Sequence, residues 1–220
     1  MRLEIICTGD GSSTLFLPER NEHYHSTNGA VQESMHVYIR AGLNAIRSKN
    51  TAILEMGFGT GLNTLLTLMN CQNFNSVSYH AVEKYPLKQE LVQLLNYETY
   101  LGLSEDLKND FMSMHREPWN STLALRDNFV LHKTKIDFRQ YFPSEAFDLV
   151  YYDAFAPEVQ PELWEESIFE KLFNGMKSEG ILVTYCAKGE IRRRMQRAGF
   201  KVERLPGPPG KREMIRAARL

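Results

Sequence analysis

Four carboxylates and one run of glycines could carry chemistry in this chain. Glu55-x-Gly57-x-Gly59-x-Gly61 follows the apolar stretch from Thr51 and precedes a helical pattern of Leu62, Leu65, Leu66 and Met69. Glycines let a chain turn sharply and let a ligand approach the main chain. The helix start beyond them offers unpaired N–H groups that suit an anion. Glu83 closes the strand-like run 77–82, Asp137 follows the run 129–131, and Asp153 ends the run 147–152. Asp153 is followed by Ala154-Phe155-Ala156-Pro157. A carboxylate there suits a reaction at an amine, because an alkylammonium must lose a proton before it can attack, and a carboxylate can orient it and take that proton. A ring such as Phe155 can pack against the substrate and attract its positive charge.

The spacing of the glycines narrows the ligand. A dinucleotide site asks for G-x-G-x-x-G around a pyrophosphate. Here the third glycine comes one residue early, and position 62 is Leu. Acids at successive strand ends suit a ligand with no phosphate but with an ammonium, a ribose and an adenine, which describes S-adenosylmethionine. Glu55 suits its ammonium side, Glu83 the ribose hydroxyls and Asp137 the adenine amino group, with Gly57, Gly59 and Gly61 forming the turn. The stretch from Asp153 to Pro157 resembles the Asp/Asn-Pro-Pro-aromatic motif of methyltransferases that act on amino nitrogens. Methyl transfer is an in-line displacement, so positioning contributes much of its rate.

The elements that must position these residues alternate. Strands are expected at 51–55, 77–82, 129–131, 147–152, 181–185, 200–205 and 213–217. Helices are expected from Leu62, from Pro86 with Leu87, Leu91, Leu94 and Leu95 inward, from Pro161 with Trp164, Ile168 and Leu172 inward, and from Glu190 to Ala198 before Gly199. Residues 100–128 read as a helical or looped excursion. Such alternation indicates an α/β protein, a class I Rossmann-like methyltransferase fold with a mostly parallel seven-stranded sheet and an antiparallel C-terminal strand. Residues 1–50 read as an N-terminal extension: the start Met1–Cys7 is strand-like, 21–26 is polar, and 31–46 is mostly helical. Residues 51–220 form the methyltransferase domain in this reading.

Composition excludes several classes. The 220 residues carry a net charge of −1, with 43% hydrophobic and 24% charged residues, the balance of a globular domain. No apolar run is long enough to span a membrane, and the start lacks a signal-peptide pattern. Cys7, Cys71 and Cys186 are scattered and odd in number, which suggests neither a metal site nor a disulfide framework and fits a cytoplasmic location. The charge is uneven: from Lys188 onward eleven basic residues face three acidic ones, a net +8 against −9 for the rest. A basic end is compatible with a polyanionic partner or with a solvated helix face and strand edge. Lys211 and Arg212, beside a glycine-proline loop, are candidates to hold a phosphate. His23 and His25 read as solvated, and Trp119 and Trp164 as packing residues.

Several motifs in order resemble one family. They are Asn-Glu-His-Tyr-His-Ser (21–26), Gly-Ala-Val-Gln-Glu-Ser (29–34), Ile-Leu-Glu-Met-Gly-Phe-Gly-Thr-Gly (53–61), Tyr-Asp-Ala-Phe-Ala-Pro (152–157) and Gly-Lys-Arg-Glu-Met (210–214). The chain is similar over essentially its whole length to the methyltransferase domain of MnmC, the tRNA wobble-uridine modification family. The resemblance implies methylation of the amine of 5-aminomethyluridine, commonly 2-thiolated, on the tRNA anticodon stem-loop. It implies that Asp153 faces the substrate amine and that Gln32 and Ser34 close over the cofactor. Tyr24 and Pro157, within the matched motifs, fall to the substrate side with Lys211 and Arg212. The bifunctional family members also carry a flavin-dependent oxidoreductase domain, for which 220 residues leave no room, so a stand-alone form is expected. A methyltransferase or aminopropyltransferase-like enzyme acting on a small free amine, and a non-catalytic cofactor- or RNA-binding module, are the alternatives.

Overall fold

Apolar residues at 53, 54 and 56 and at every position of 149–152 call for strands buried on both faces, and this is how the sheet is built. The computed structural model describes residues 2–143 and 146–220. At the N-terminus β1 (Glu4–Cys7), β2 (Ser13–Leu17) and β3 (Glu22–His23) form a small antiparallel sheet. Met1, which the sequence reading included in the first strand, lies outside the described residues. The chain continues through α1 (Ala30–Ser34), which widens into a π-helical turn at Met35–Arg40.

β4 (Asn50–Met56), α2 (Leu62–Met69), β5 (Ser76–Glu83), α3 (Gln89–Val92), α4 (Tyr97–Tyr100), α5 (Glu105–Arg116), β6 (Ser121–Arg126), β7 (Phe129–Lys135), β8 (Phe147–Tyr152), α6 (Glu166–Gly175), β9 (Met176–Thr184), α7 (Gly189–Arg197), β10 (Lys201–Pro206) and β11 (Glu213–Ala218) follow. The main sheet has the order β10-β11-β9-β8-β4-β5-β7-β6. β7, β5, β4, β8 and β9 are mutually parallel, while β11 runs antiparallel to β9 and to β10. This is the expected α/β arrangement with an eighth strand added.

That strand, β6, pairs antiparallel with β7 at the edge. It lies in the segment read as a helical or looped excursion, together with α5. Ser104 caps α5 by accepting the Leu107 N–H, and Glu105 and Asp106 occupy its first turn, signals a polar helix carries at its ends rather than along its face. The helix expected from Pro86 is reduced to the four residues of α3. The helix expected from Pro161 is divided: Pro161–Trp164 form a 3-10 turn, extended backbone at Glu165 interrupts it, and α6 begins at Glu166.

Two apolar layers cover the sheet, and strand alternation sorts residues between them. Ile53, Tyr79, Leu149 and Tyr151 face α2, together with Leu15, Val31, Val37 and Tyr38 from the N-terminal segment. Leu54, Met56, Val82, Val150 and Tyr152 face α6 and α7, against Ile168, Phe169, Leu172, Ile191 and Met195. The N-terminal fifty residues thus share a core with the sheet and reach the ends of its central strands.

Candidate functional site

The C-terminal ends of β4, β5, β7 and β8 open into a cleft of about 490 Å³. The glycine turn makes this convergence possible. Gly57 has φ +105°, its N–H donates to the Val82 carbonyl at 3.0 Å, and the Asp153 N–H donates to the Met56 carbonyl at 3.0 Å. A Cβ on Gly57 would lie 2.4 Å from the Asp153 carbonyl oxygen, so only glycine lets the three strand ends meet. Gly59, at φ +50°, donates its N–H to a Glu83 carboxylate oxygen at 3.1 Å, and the other Glu83 oxygen accepts the Tyr85 N–H at 2.7 Å. Burial pushes the Glu83 carboxyl up, and these N–H groups oppose the shift. Gly57, Gly59, Glu83, Asp137, Asp153, Phe155, Tyr24 and Lys211 all line the cleft.

Asp153 lines the cleft at the end of β8. The Asn63 amide, in the first turn of α2, donates to its Oδ2 at 2.8 Å. Burial pushes the Asp153 carboxyl up to about 7, against the stabilising Tyr38 hydroxyl and Asn63 amide; Glu33 raises it and Lys211 lowers it. Tyr24 and Phe155 meet edge to face, their ring centroids 5.1 Å apart at 89°, and form an aromatic wall beside it.

Asp137 is the most heavily bonded of the four candidate acids. Its Oδ1 accepts the Arg139 N–H and Nε, both at 3.0 Å, and its Oδ2 accepts Lys84 Nζ at 2.8 Å and an Arg139 guanidinium nitrogen at 2.7 Å. The Arg139 bonds, with Lys84 behind them, hold its carboxyl well below the usual carboxylate range against the cost of burial. Its side chain is therefore committed to two cations rather than open to an adenine amino group.

Six expected site residues lie elsewhere. Glu55 is 0% exposed and does not line the cleft. Alternation along β4 turns it with Ile53 toward α2, where Thr64 donates to its Oε2 at 2.9 Å. Gly61, at φ +75°, opens α2; a Cβ there would lie 2.8 Å from the His115 ring, so its role is helix packing rather than cleft lining. Gln32 is exposed and Ser34 fully buried, and neither reaches the cleft; α1 presents Glu33 instead. Pro157 faces a separate small hollow with Glu158, Pro161 and Lys188. Arg212 is exposed outside the cleft, and Lys211 points inward to Glu33 rather than outward.

His25 is not solvated. Its ring sits between the Thr14 hydroxyl at 2.9 Å and the Thr60 hydroxyl at 3.4 Å, and burial pulls its pKa down to about 4, so it is neutral. Trp164 is fully buried, and Trp119 packs edge-on against Phe58. Glu33, Asn63, Tyr185 and Arg139 were not singled out from the sequence. Asn63 alone carried a local signal, a polar residue two positions past the glycine turn. Among the described residues no group of three or more His, Cys, Asp or Glu is placed to hold a metal, and no helix is long and apolar enough to cross a membrane.

Residues 103–220 match a family model described as S-adenosyl-L-methionine-dependent methyltransferase. The chain belongs to that family. The methyltransferase is 29% identical over 96% of its length to the tRNA 5-methylaminomethyl-2-thiouridine biosynthesis bifunctional protein MnmC of Campylobacter fetus subsp. fetus, covering 34% of that protein. It is 30% identical over 92% of its length to the MnmC of Burkholderia thailandensis, covering 33% of it. The methyltransferase therefore spans about a third of the length of the curated relatives it matches. Among solved structures it is similar to MNMC2 from Aquifex aeolicus, with a TM-score of 0.79 and 26% identity over 99% of this chain and 70% of that one. A spermidine synthase from Thermotoga maritima, at TM-score 0.59 and 14% identity over 99% of this chain and 68% of that one, shares the fold alone.

The cleft fits the family's methyl donor. Its volume lies in the usual range of small-molecule sites. At its floor two positive-φ glycines leave the main chain bare beside the Glu83 carboxylate.

Proposed function

We propose that this methyltransferase transfers a methyl group from S-adenosylmethionine to the amine of 5-aminomethyl(-2-thio)uridine at the wobble position of tRNA. The observation that carries this reading is Asp153, a carboxylate pushed up to about 7, held by Asn63 in the same cleft as the glycine turn and Glu83. The names of the MnmC relatives support the choice of substrate.

Gly57 and Gly59 would lie against the donor and Glu83 would take its ribose hydroxyls. The 137–139 segment would face the adenine through Phe138, since the Asp137 side chain is committed to Lys84 and Arg139. When bound, S-adenosylmethionine supplies a methyl group on a positively charged sulfur, which leaves with the electron pair of the broken carbon–sulfur bond. Asp153 accepts a proton from the substrate ammonium, which frees the nitrogen lone pair to form the new carbon–nitrogen bond. Asn63 keeps that carboxylate aimed into the cleft, while Tyr24 and Phe155 wall in the base. Residues 1–50 act in this reading as an extension closing the cleft of the domain formed by 51–220. The phosphates of the anticodon stem-loop would lie on the exposed basic positions of the C-terminal segment, and the protein would work in the cytoplasm, where tRNA is modified.

Incubation with labelled methyl donor and tRNA from a strain lacking the modification, followed by nucleoside analysis, tests the reading. Label in 5-methylaminomethyl(-2-thio)uridine is the expected result. Label in another nucleoside, or on a free small amine with tRNA inert, would overturn it.

A further inference from the structure

The substrate end of the cleft already holds an ammonium, that of Lys211. Its Nζ donates to Glu33 Oε2 at 2.5 Å and lies 4.0 Å from the centroid of the Tyr185 ring. A carboxylate and an aromatic face together are the groups that recognise an alkylammonium. The receptor side of this arrangement is fixed. Glu33 is 5% exposed, and its other oxygen accepts the Ser26 N–H at 2.9 Å. Tyr185 donates its hydroxyl to the Ala154 carbonyl at 2.8 Å, which ties its ring to the residue after Asp153.

Lys211 itself is the movable member. It rises from the loop between β10 and β11, and its side chain is 32% exposed, against 7% for the Glu33 side chain. The end of a lysine is a CH₂–NH₃⁺ group, the same group that an aminomethyl substrate presents.

We propose that Glu33 and Tyr185 form the seat for the substrate's ammonium beside Asp153, and that Lys211 occupies this seat until the substrate displaces it. The inference rests on the amine-methyltransferase reading above. Exchange of one ammonium for another leaves no unpaired buried carboxylate, which is the expensive alternative. It also explains why a site that must bind a cation is built with a cation in it. The groups facing Asp153 here are Glu33, Lys211, Tyr185, Tyr38 and Asn63; Glu33 raises its carboxyl and Lys211 lowers it, as charges in one compartment do. A substrate ammonium in the same seat would take over the stabilising role of Lys211.

The test compares Glu33→Gln, Glu33→Asp and Lys211→Met, with steady-state kinetics on aminomethyl-bearing tRNA and calorimetry of S-adenosylmethionine binding. The expected result is a KM for tRNA at least tenfold higher in Glu33→Gln, a kcat within about threefold, an unchanged donor Kd and partial recovery in Glu33→Asp. Lys211→Met, which removes the competitor, should lower KM. An unchanged KM in Glu33→Gln, or a KM raised equally by Glu33→Gln and Lys211→Met, would overturn the proposal, because the pair would then be a structural latch. A second measurement needs no turnover and no Glu33 variant. The ¹⁵N signal of the Lys211 ammonium should shift on titration of the wild-type protein with ethylammonium, and no shift up to saturating concentration would also overturn the proposal. Failure of the wild type to methylate any tRNA would instead defeat the reading of function, leaving the titration to decide on the seat.

Discussion

Two carboxyl groups, Asp153 half-buried and Glu55 fully buried, do different work, and their surroundings separate them. Asp153 opens to the cleft and titrates at about 7, so it is poised to exchange a proton near neutral pH. Its base form appears above that value, so kcat/KM of the free enzyme should rise with pH through about 7 and level off beyond it. Asp153→Asn should lower kcat by roughly 10²–10⁴-fold, abolish that step and leave donor affinity unchanged by calorimetry. Glu55 faces the core, and burial pushes it up to about 8, despite the bond from Thr64. It is therefore a neutral acid at pH 7. Its Oε1 is a buried oxygen without a donor, as fits a protonated acid. The folded protein holds this proton where the unfolded chain, titrating at the ordinary 4.5, has released it, so stability falls as pH rises from 4.5 through about 8. Asp153 adds a contribution of the same sign between 3.8 and about 7. Below 6.5 the buried neutral His25 and His115 oppose this trend, so melting temperatures should decline with pH between about 6.5 and 8, and Glu55→Gln should flatten the decline.

The turn between β4 and α2 is the element on which the cleft depends. Its glycines are not equivalent: Gly57 allows the close approach of β8, Gly59 gives Glu83 an N–H, and Gly61 makes room for His115. Gly57→Ala would drive a Cβ into the Asp153 carbonyl at a φ that side chains rarely adopt. The strain should cost about 1–3 kcal/mol, read from the urea midpoint at unchanged m-value. Displacement of the Asp153 backbone should also cost donor binding and turnover together, unlike the loss in Asp153→Asn. The glycines were legible in the sequence because a strand, a turn and a helix start leave a strong local pattern. β6 was not, since this edge strand, Ser121 to Arg126, offers only the short apolar run Leu123-Ala124-Leu125 between polar and charged ends.

At the scale of the whole molecule the basic C-terminal segment is less bare than its charge suggests. Lys188 pairs with Glu158, Arg197 with Glu166 and Lys211 with Glu33, all acids from outside the segment, while Arg204 pairs with Glu213 and Arg216 with Glu203. Arg193 and Arg212 are exposed basic side chains of this segment. If they hold phosphates, replacing both with Ala should weaken tRNA binding uniformly across tRNA species, and each lost contact should reduce the slope of log K against log salt by about 0.7–0.9. A weaker affinity with the slope intact, measured by filter binding at several salt concentrations, would exclude phosphate contact by these two residues.

The amino-acid sequence alone determined the class of fold, the place of the ligand turn and the carboxylates Glu83 and Asp153 at the ends of their strands. Each of these depends on local hydropathy, glycine conformation or a residue's position at a strand end, which neighbours along the chain specify. Tertiary structure decided which side chains reach the cleft. Glu55 lies two residues from Gly57 yet faces the core, because alternation along β4 and packing against α2 set its direction. Glu33 and Lys211, 178 positions apart, meet only because the N-terminal segment and the β10–β11 loop close over the same strand ends. No periodicity records such a meeting: it is a product of long-range packing, in which a side chain's partner is set by the fold and not by its neighbours in sequence.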